Sequence, residues 1–537
     1  MNRSCRSTAR ARVGTFLAVG ILSLMVPGLF PTMLLASSVP GIVPAPGELI
    51  PASHQVRPAS DSTTEAPPGP VPTVSPPMVS PPPAVPPIDC RTCEPLKGET
   101  PSKSWEMIWN NGLYFQTADK EFTFHTGATL QYDGAWYTGS TALQQRPMRE
   151  GVGGTGRFDD GTNLRRGRFW FEGTLYGNVD YKFEMEFFNG IGFSPAGTQG
   201  NVVASSLVNS PGPTDAWINI KDIPFIGNLR IGSQKEWFSL EHLEVYRYLP
   251  FMERSYLFDF SQMTAFNNGF SPGISMWRTW ADSRVFSALG FYKNESDLIG
   301  FGIGDGQYAL TGRLAFLPYY NPEQQSFWHV GGAFSHRDPV DDQVQIRIRD
   351  NVRNAPFALL NLLLNTGQVP TRSQDLFNVE TAFVNGPLTL QAEYTANILR
   401  GVSTTRAPNG PNLGNYMFQG VYGSAMYFLT GESRTWNTTY FFYNRVVPKK
   451  NFAFKKDGLG VEGWGAWEIG ARYTYLNVTD KDVQAGMLNA ATLGLNWYLN
   501  PNCRFQFNYD YTYRAHNADP LARGAIHSFG SRFSLDF

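Results

Sequence analysis

Charged side chains recur at every second position along several short segments of the chain. In residues 179–188, Asp180, Lys182, Glu184 and Glu186 alternate with apolar residues. Two carboxylates held close together can act as a general acid and a general base. The same spacing, however, places all four charges on one face of a β-strand, and a polar channel lumen would supply such carboxylates without any catalysis.

Other residue types that could perform catalysis are poorly placed for it. No Gly-x-Ser-x-Gly nucleophile elbow occurs, which disfavours an outer-membrane lipase or protease. None of the seven histidines lies at metal-ligand spacing from cysteine or acidic residues; they are His54, His125, His242, His329, His336, His516 and His527. We therefore predict no catalytic, metal or cofactor site.

Two local motifs could each be interpreted either as a metal site or as a structural feature without a metal. Cys90 and Cys93 form a Cys-x-x-Cys pair without two further ligands nearby, so a periplasmic disulfide or a redox-inert pair is favoured over zinc. The acidic stretch 159–163 could hold calcium in an external loop, but a plain turn is the better interpretation.

The composition combines many aromatic residues with few charges. Aromatic residues make up 14% of the 537 residues, charged residues only 17%, and the mean hydropathy is −0.26. A soluble enzyme normally carries about 25% charged residues. A helical membrane protein would show repeated apolar runs of about 20 residues, and none follows residue 40. The net charge of −1 gives no reason to expect a nucleic-acid partner.

The first hundred residues are predicted to be a secretory leader and a spacer. Four arginines precede an apolar stretch over 13–35, and small residues follow at 36–38, so residues 1–38 resemble a signal peptide, with an uncleaved anchor as the alternative. Residues 39–104 are rich in Pro, Val, Ser, Thr and Ala and cannot bury a core. We predict a disordered periplasmic spacer, extended at roughly 3.1 Å per residue.

From Trp105 onward, short alternating segments are separated by Gly, Asn, Asp and Pro turns. In residues 504–514, five aromatic residues alternate with six polar or charged ones, and the last segment alternates up to a terminal Phe537. This pattern predicts an all-β fold, a transmembrane antiparallel barrel with an apolar exterior and a wet lumen over residues 105–537. About 430 residues at roughly 25–30 per strand give about 16 strands. Such a barrel is too wide for side chains to fill, so an inward loop must narrow it. The longest external loops are expected at about 141–163, 190–213, 338–375 and 400–415.

The order and spacing of several motifs resemble the phosphate- and pyrophosphate-selective porin family, porin O/P. The matching stretches are Phe428–Arg434, Arg445–Pro448, Gly465–Tyr473, Leu493–Tyr498 and Arg230–Lys235, the last followed by Leu240–Glu241 and Phe251–Ser255. The resemblance implies a trimeric outer-membrane barrel that lets anions such as phosphate diffuse. It also implies that 237–260 is a loop folded into the lumen.

In that family, cations lining the lumen determine selectivity. The alternation along each strand, together with the implied loop, identifies ten candidates for lumen-lining cations here: Arg166, Arg168, Lys182, Arg230, Lys235, Arg254, Arg313, Arg472, Arg504 and Arg514. The planar fork of arginine suits phosphate. Inward parity also applies to carboxylates, namely Glu172, Asp180, Glu184, Glu186, Glu393, Glu468 and Asp510. Each arginine could therefore instead be a cross-strand partner that stiffens the wall.

Two functions remain open at this stage. The first is a porin for small hydrophilic solutes, with phosphate favoured by the resemblance. The second is a structural anchor that contacts the cell wall through the spacer. The expected partners are outer-membrane lipid, two further copies of the chain and permeating anions.

Overall fold

The computed structural model describes most of the chain from residue 104 onward. The described residues are 104–145, 154–188, 211–262, 269–294, 307–354, 361–404, 410–455, 458, 460–517 and 519–537. The predicted leader 1–38, the predicted spacer 39–104 except its last residue, and Cys90 and Cys93 lie outside them. Among the described residues, no helix is long and apolar enough to cross a membrane.

Within the described residues, sixteen antiparallel strands form the closed barrel predicted from the sequence. They are β3 (Thr123–Gly139), β4 (Gly161–Leu175), β5 (Val179–Glu186), β6 (Gly212–Ile223), β7 (Gly227–Lys235), β8 (Phe270–Trp280), β9 (Val285–Lys293), β10 (Tyr308–Asn321), β11 (Ser326–Arg337), β16 (Ser373–Asn385), β17 (Leu388–Ser403), β18 (Asn412–Phe428), β23 (Ala466–Asp480), β24 (Val483–Asn500), β25 (Cys503–Ala515) and β26 (Gly524–Asp536).

The remaining elements are short and lie before the barrel or in its connections. The strands are β1 (Trp105–Trp109), β2 (Leu113–Thr117), β12 (Gln343–Val344), β13 (Arg347–Arg349), β14 (Leu362–Asn365), β15 (Val369–Pro370), β19 (Trp436–Asn437), β20 (Phe442–Tyr443), β21 (Ala453–Phe454) and β22 (Val461–Gly463). The helices are α1 (Thr141–Gln144), α2 (Leu240–Leu243) and α3 (Tyr256–Gln262), with 3-10 turns at Val340–Asp342 and Pro520–Ala522.

The last strand closes the barrel against the first. β26 pairs with β3 in a register that sets Phe533 opposite Tyr132. The backbone of Phe537 exchanges two hydrogen bonds with Ala128, at 2.7 and 3.0 Å. Where β26 ends, β2 takes over pairing with the start of β3, and β1 pairs with β2. The terminal strand therefore leaves no open edge beside β3, as membrane burial requires.

The period of two separates a lipid face from a lumen face. On β25, Tyr509 is 40% exposed whereas its neighbour Asp510 is fully buried. Because the barrel wall is one sheet thick, the exposed face is the face that lipid covers. The buried face looks into the lumen, where it meets inserted loops.

The two ends of the barrel differ in their connections. Six connections at the end that holds Phe537 are two to four residues long: 176–178, 224–226, 281–284, 322–325, 386–387 and 501–502. The connections 140–160, 187–211, 338–372 and 404–411 leave from the opposite end, where the long external loops were expected. In outer-membrane barrels the short turns face the periplasm.

Within the described residues, three segments narrow the lumen, where the sequence predicted one. The first is 236–262, which contains the expected loop 237–260 and is called loop A below. The second is the stretch 343–354 of an external loop, in which Ile348 and Val352 are buried. The third is the connection 429–465, which starts at the short-turn end and buries Trp436 and Phe441 inside the barrel.

Apolar patches on the lumen face hold these segments. Phe286, Phe327 and Val384 point inward on the wall and form one buried cluster with Trp436 and Phe441 of the third segment. Loop A crosses the lumen to the far wall, where Met252 packs on Gly530. A Cβ at Gly530 would lie 2.7 Å from the Met252 sulfur, so a side chain at this position would displace the end of Met252.

The acidic stretch 159–163 is not a separate turn. Gly161, Thr162 and Asn163 belong to β4, and Asp160 accepts a hydrogen bond from the Tyr137 backbone N–H at 2.7 Å. The expectation of a plain turn is therefore wrong for this stretch, because the strand extends beyond the predicted loop boundary. Among the described residues, no group of His, Cys, Asp and Glu is arranged to hold a metal ion.

Candidate permeation constriction

Loop A is fixed by charged residues at its own turns. The Ser239 side chain caps α2 by accepting from the His242 N–H at 3.2 Å. At the other end of this short helix, Arg254 donates to the carbonyls of Glu241 and Glu244, each at 2.6 Å. Lys235 donates to the carbonyl of His242 at 2.9 Å. Lys235 and Arg254, the two cations predicted on the loop, thus donate hydrogen bonds to backbone carbonyls at the C-terminal end of α2.

One carboxylate at the tip of loop A gathers four arginines. Arg165 Nε donates to Glu253 Oε1 at 2.9 Å, and Arg532 Nη2 donates to the same oxygen at 2.8 Å. Arg166 Nη2 donates to Glu253 Oε2 at 3.2 Å, and Arg353 Nη1 lies 3.5 Å from it. Burial opposes ionisation of Glu253, but the arginines outweigh it and hold its pKa well below the usual range.

The space around this carboxylate is narrow and strongly cationic. A cavity of about 20 Å³ lies there, which is room for about one water molecule. Five arginines, one lysine and one carboxylate are among the described residues that line it: Arg165, Arg166, Arg168, Arg254, Arg353, Lys235 and Glu253. We call this group the constriction. His242 also lines it, and burial together with nearby Lys235 and Arg254 lowers its pKa well below the usual value, which favours the neutral form.

A β-bulge explains why two consecutive arginines point into the lumen. The register between β3 and β4 pairs Gln131 with Arg166 and Tyr132 with Leu164, so Arg165 is the extra residue. Strict alternation along the strand predicts that Arg165 faces lipid, so it was not among the candidate lumen cations. The two consecutive arginines, Arg165 and Arg166, were the one feature of the sequence that could have indicated the bulge.

Two further arginines that contact Glu253, namely Arg532 and Arg353, were not among the predicted candidates, for different reasons. Arg532 has inward parity on the last strand, but no motif distinguishes it from other polar residues there. Its guanidinium bonds both oxygens of Asp133, at 2.7 and 2.6 Å, as well as Glu253. Arg353 lies in an external loop, and only the fold of that loop brings it to Glu253.

Comparison with known proteins identifies the family. Residues 148–537 match the family model described as phosphate-selective porin O and P. The chain belongs to this family. Together with the closed barrel, the match confirms the predicted family, outer-membrane location and channel function. It also indicates a channel rather than an enzyme.

Individual relatives are distant. Porin O of Pseudomonas aeruginosa is 24% identical over 421 residues, which cover 72% of this porin and 82% of that protein. An uncharacterized protein of Caulobacter vibrioides is 25% identical over 456 residues, which cover 82% of this porin and 79% of that protein.

The solved structures to which the chain is similar also share little sequence identity with it. The channel DcaP of Acinetobacter baumannii has a TM-score of 0.45 and 12% identity, covering 79% of this porin and 99% of that chain. The anion-selective porin from Comamonas acidovorans has a TM-score of 0.43 and 12% identity, covering 78% of this porin and 100% of that chain.

Several nominated cations of this porin are ion-pair partners within its wall. Arg168 donates to Glu184 and Glu186, each at 2.6 Å. Arg313 donates to Glu380 at 2.6 Å with both side chains fully buried. These two fit the alternative that inward arginines stiffen the barrel through cross-strand pairs.

Three more nominated arginines hold loops in place. Arg472 Nη1 donates to Glu241 Oε1 of loop A at 3.2 Å. Arg504 donates to the Leu249 carbonyl at 2.9 Å, also in loop A. Arg514 donates to the Gly154 carbonyl of the first external loop at 3.2 Å. All three lie outside the constriction.

The last two candidates lie in a larger cavity of about 590 Å³ between loop A and the short-turn end. We call it the vestibule. Lys182 lies there, 3.3 Å from Asp215 and 3.9 Å from Glu172. Arg230 lies there as well, among aromatic rings. The structure thus brings Arg166, Arg168, Lys235 and Arg254 together at the constriction and separates the other candidates from it.

Proposed function

We propose that this porin is an anion-preferring channel for passive diffusion, with phosphate as the favoured solute and the constriction as the selective element. The observation that carries the proposal is that five arginines and one carboxylate are among the described residues that line the narrow cavity. The family description, phosphate-selective porin O and P, points to the same solute.

The arrangement can bind an anion without trapping it. Arginine presents five N–H donors in a planar fork. The arginines that line the narrow cavity can therefore replace part of the water around a phosphate. Because Glu253 already neutralises part of the cluster, the anion is held weakly enough to leave, as conduction requires.

Phosphate block of chloride current in planar bilayers tests this function. In the double variant Arg165→Gln/Arg166→Gln, the half-blocking phosphate concentration should rise at least about tenfold, since one lost charge-assisted hydrogen bond is worth about 1.5–3 kcal/mol. Arg278→Gln is the matched control, because Arg278 lies on the outward face beside Trp280. Equal phosphate block in the wild type and the double variant would refute the proposal.

We further propose the organisation that the sequence and the resemblance imply. Residues 1–38 are a cleaved signal, 39–104 a periplasmic spacer and 105–537 the barrel domain, and the porin assembles as a homotrimer. N-terminal sequencing of the mature protein and its mass in detergent test these points. Contact of the spacer with the cell wall has no support among the described residues, and conductance after deletion of 39–104 would separate an anchoring role from the channel.

A further inference from the structure

The vestibule has a wall chemistry that diffusion of a small inorganic ion does not need. Seven aromatic side chains of the described residues line it: Tyr114, Tyr181, Trp217, Trp237, Tyr248, Tyr440 and Phe442. They come from β2, β5, β6, β20, loop A and the connection 429–465. A volume of about 590 Å³ falls within the range of about 300–1,000 Å³ for small-molecule sites.

Arg230 is held in this wall by rings alone. Its guanidinium carbon lies 3.9 Å from the centroid of the Trp217 ring, 4.6 Å from that of Trp277 and 5.8 Å from that of Tyr440. The residue is only 9% exposed, and Nε has no hydrogen-bond partner among the described residues. Stacking fixes the plane of the guanidinium while leaving its hydrogen-bonding edge unused.

A second arginine of the vestibule is also poorly satisfied. Arg247 Nε and Nη1 are buried without hydrogen-bond partners among the described residues. Asp536 Oδ2 lies 4.0 Å from Nε, beyond hydrogen-bond distance. The Trp170 ring lies 5.1 Å from its guanidinium carbon. Buried polar groups left this way are expected to find a partner.

The carboxylates of the vestibule already have cationic partners. Lys182 lies 3.3 Å from Asp215, and Lys221 lies 2.8 Å from Asp180. Glu172 lies near both Lys182 and His125. The two arginines are therefore not neutralised by the acids that share their cavity.

We propose that the vestibule is a second binding site, for organic anions that join a phosphate or carboxylate to a flat apolar body. The anionic group would take the free N–H edge of Arg230, with Arg247 as a further donor, because a guanidinium binds such groups through two parallel hydrogen bonds. The flat body would pack on Trp217 and Tyr440. Inorganic phosphate has no surface for these rings.

Phenyl phosphate, compared with inorganic phosphate, is the probe. It should block the wild-type full-length porin at concentrations at least about tenfold lower, because stacking on an aromatic ring adds about 1–3 kcal/mol. Arg230→Gln and Trp217→Leu should each remove most of this advantage and leave phosphate block within about twofold of wild type. Two variants on different strands guard against a folding defect in one of them, and Arg278→Gln again serves as the control.

This inference deepens the proposed function but can fail separately from it. Equal block by both anions in the wild type, or a phenyl phosphate advantage that survives both variants, would overturn it. If phosphate fails to block while phenyl phosphate blocks through Arg230 and Trp217, the vestibule site stands and the phosphate assignment falls.

Discussion

The constriction and the vestibule use the same residue type in two different ways. At the constriction, arginines are fixed by a carboxylate, with Arg165, Arg166, Arg353 and Arg532 around Glu253. In the vestibule, Arg230 is fixed by aromatic rings, and no carboxylate of the described residues forms an ion pair with it. A carboxylate orients an arginine but uses its donors, whereas an aromatic ring orients it and leaves the donors available. Position in the lumen alone therefore does not reveal what an arginine can bind.

The largest expected effect follows from removing the carboxylate that organises the constriction. Glu253→Gln leaves four buried guanidinium groups without their shared partner, and breaking a buried pair costs about 3–5 kcal/mol. The free energy of unfolding in liposomes, measured by urea titration, should fall by this amount. Glu462→Gln, at an exposed position of β22, should change it little. An unchanged free energy for Glu253→Gln would mean that the cluster does not hold loop A.

A second effect concerns the aromatic packing behind the vestibule. Phe441 is fully buried and lies 5.2 Å, between ring centroids, from Phe286. Phe441→Ala should destabilise the barrel by about 3 kcal/mol and raise single-channel conductance, because the connection 429–465 would loosen. Phe454→Ala is the control, since Phe454 is on the same connection but 67% exposed. Equal conductance in both variants would contradict a constraining role for the connection.

A third effect distinguishes paired from unpaired arginines directly. Arg168→Gln frees Glu184 and Glu186 as negative charges, whereas Arg230→Gln frees no carboxylate. The reversal potential in a potassium chloride gradient should shift further toward cation preference in Arg168→Gln. Shifts of the same size would remove the distinction between the two regions.

The smallest effect is a pH dependence centred on Glu244 of loop A. Burial raises the pKa of this carboxyl to about 8, against the attraction of Arg434 and with the repulsion of Glu241. Because the folded-state pKa lies above the unfolded value of 4.5, stability falls as the pH rises from about 4.5 to about 8. Glu244→Gln should flatten that fall in the unfolding free energy.

The comparison between wild type and variant isolates Glu244. Asp350 titrates in an overlapping range, since burial and nearby Asp510 raise its pKa to about 7. Asp350 is present in both proteins, so its contribution cancels. Identical pH profiles for the two proteins would show that Glu244 is already ionised at neutral pH.

The sequence predicted the wall of this porin far better than its lumen. Alternation with a period of two depends on the strand itself, so the sixteen strands and the closure at Phe537 could be read locally. A loop folded into the lumen at 237–260 was expected from the family resemblance. The connection 429–465 was not expected, although apolar residues on both faces of β10, such as Leu314 and Ala315, indicated that something packs inside.

The candidate site was predictable only in part for a physical reason. Inward parity located Arg166 and Arg168, but a single bulge turned Arg165 inward against parity. Glu253, the residue that organises the cluster, is a loop residue with no periodic signal. The partners of an arginine depend on contacts between segments far apart in sequence, such as Arg532 and Glu253.

Whether the constriction arginines select the permeating ion can be tested by the reversal potential in a potassium chloride gradient, measured for wild type, Arg165→Gln/Arg166→Gln and Arg278→Gln. We expect anion preference in wild type and in Arg278→Gln, and a clearly smaller anion preference in the double variant. A wild type with cation preference, or a double variant that keeps the full anion preference, would contradict the claim that the constriction arginines select the permeating ion.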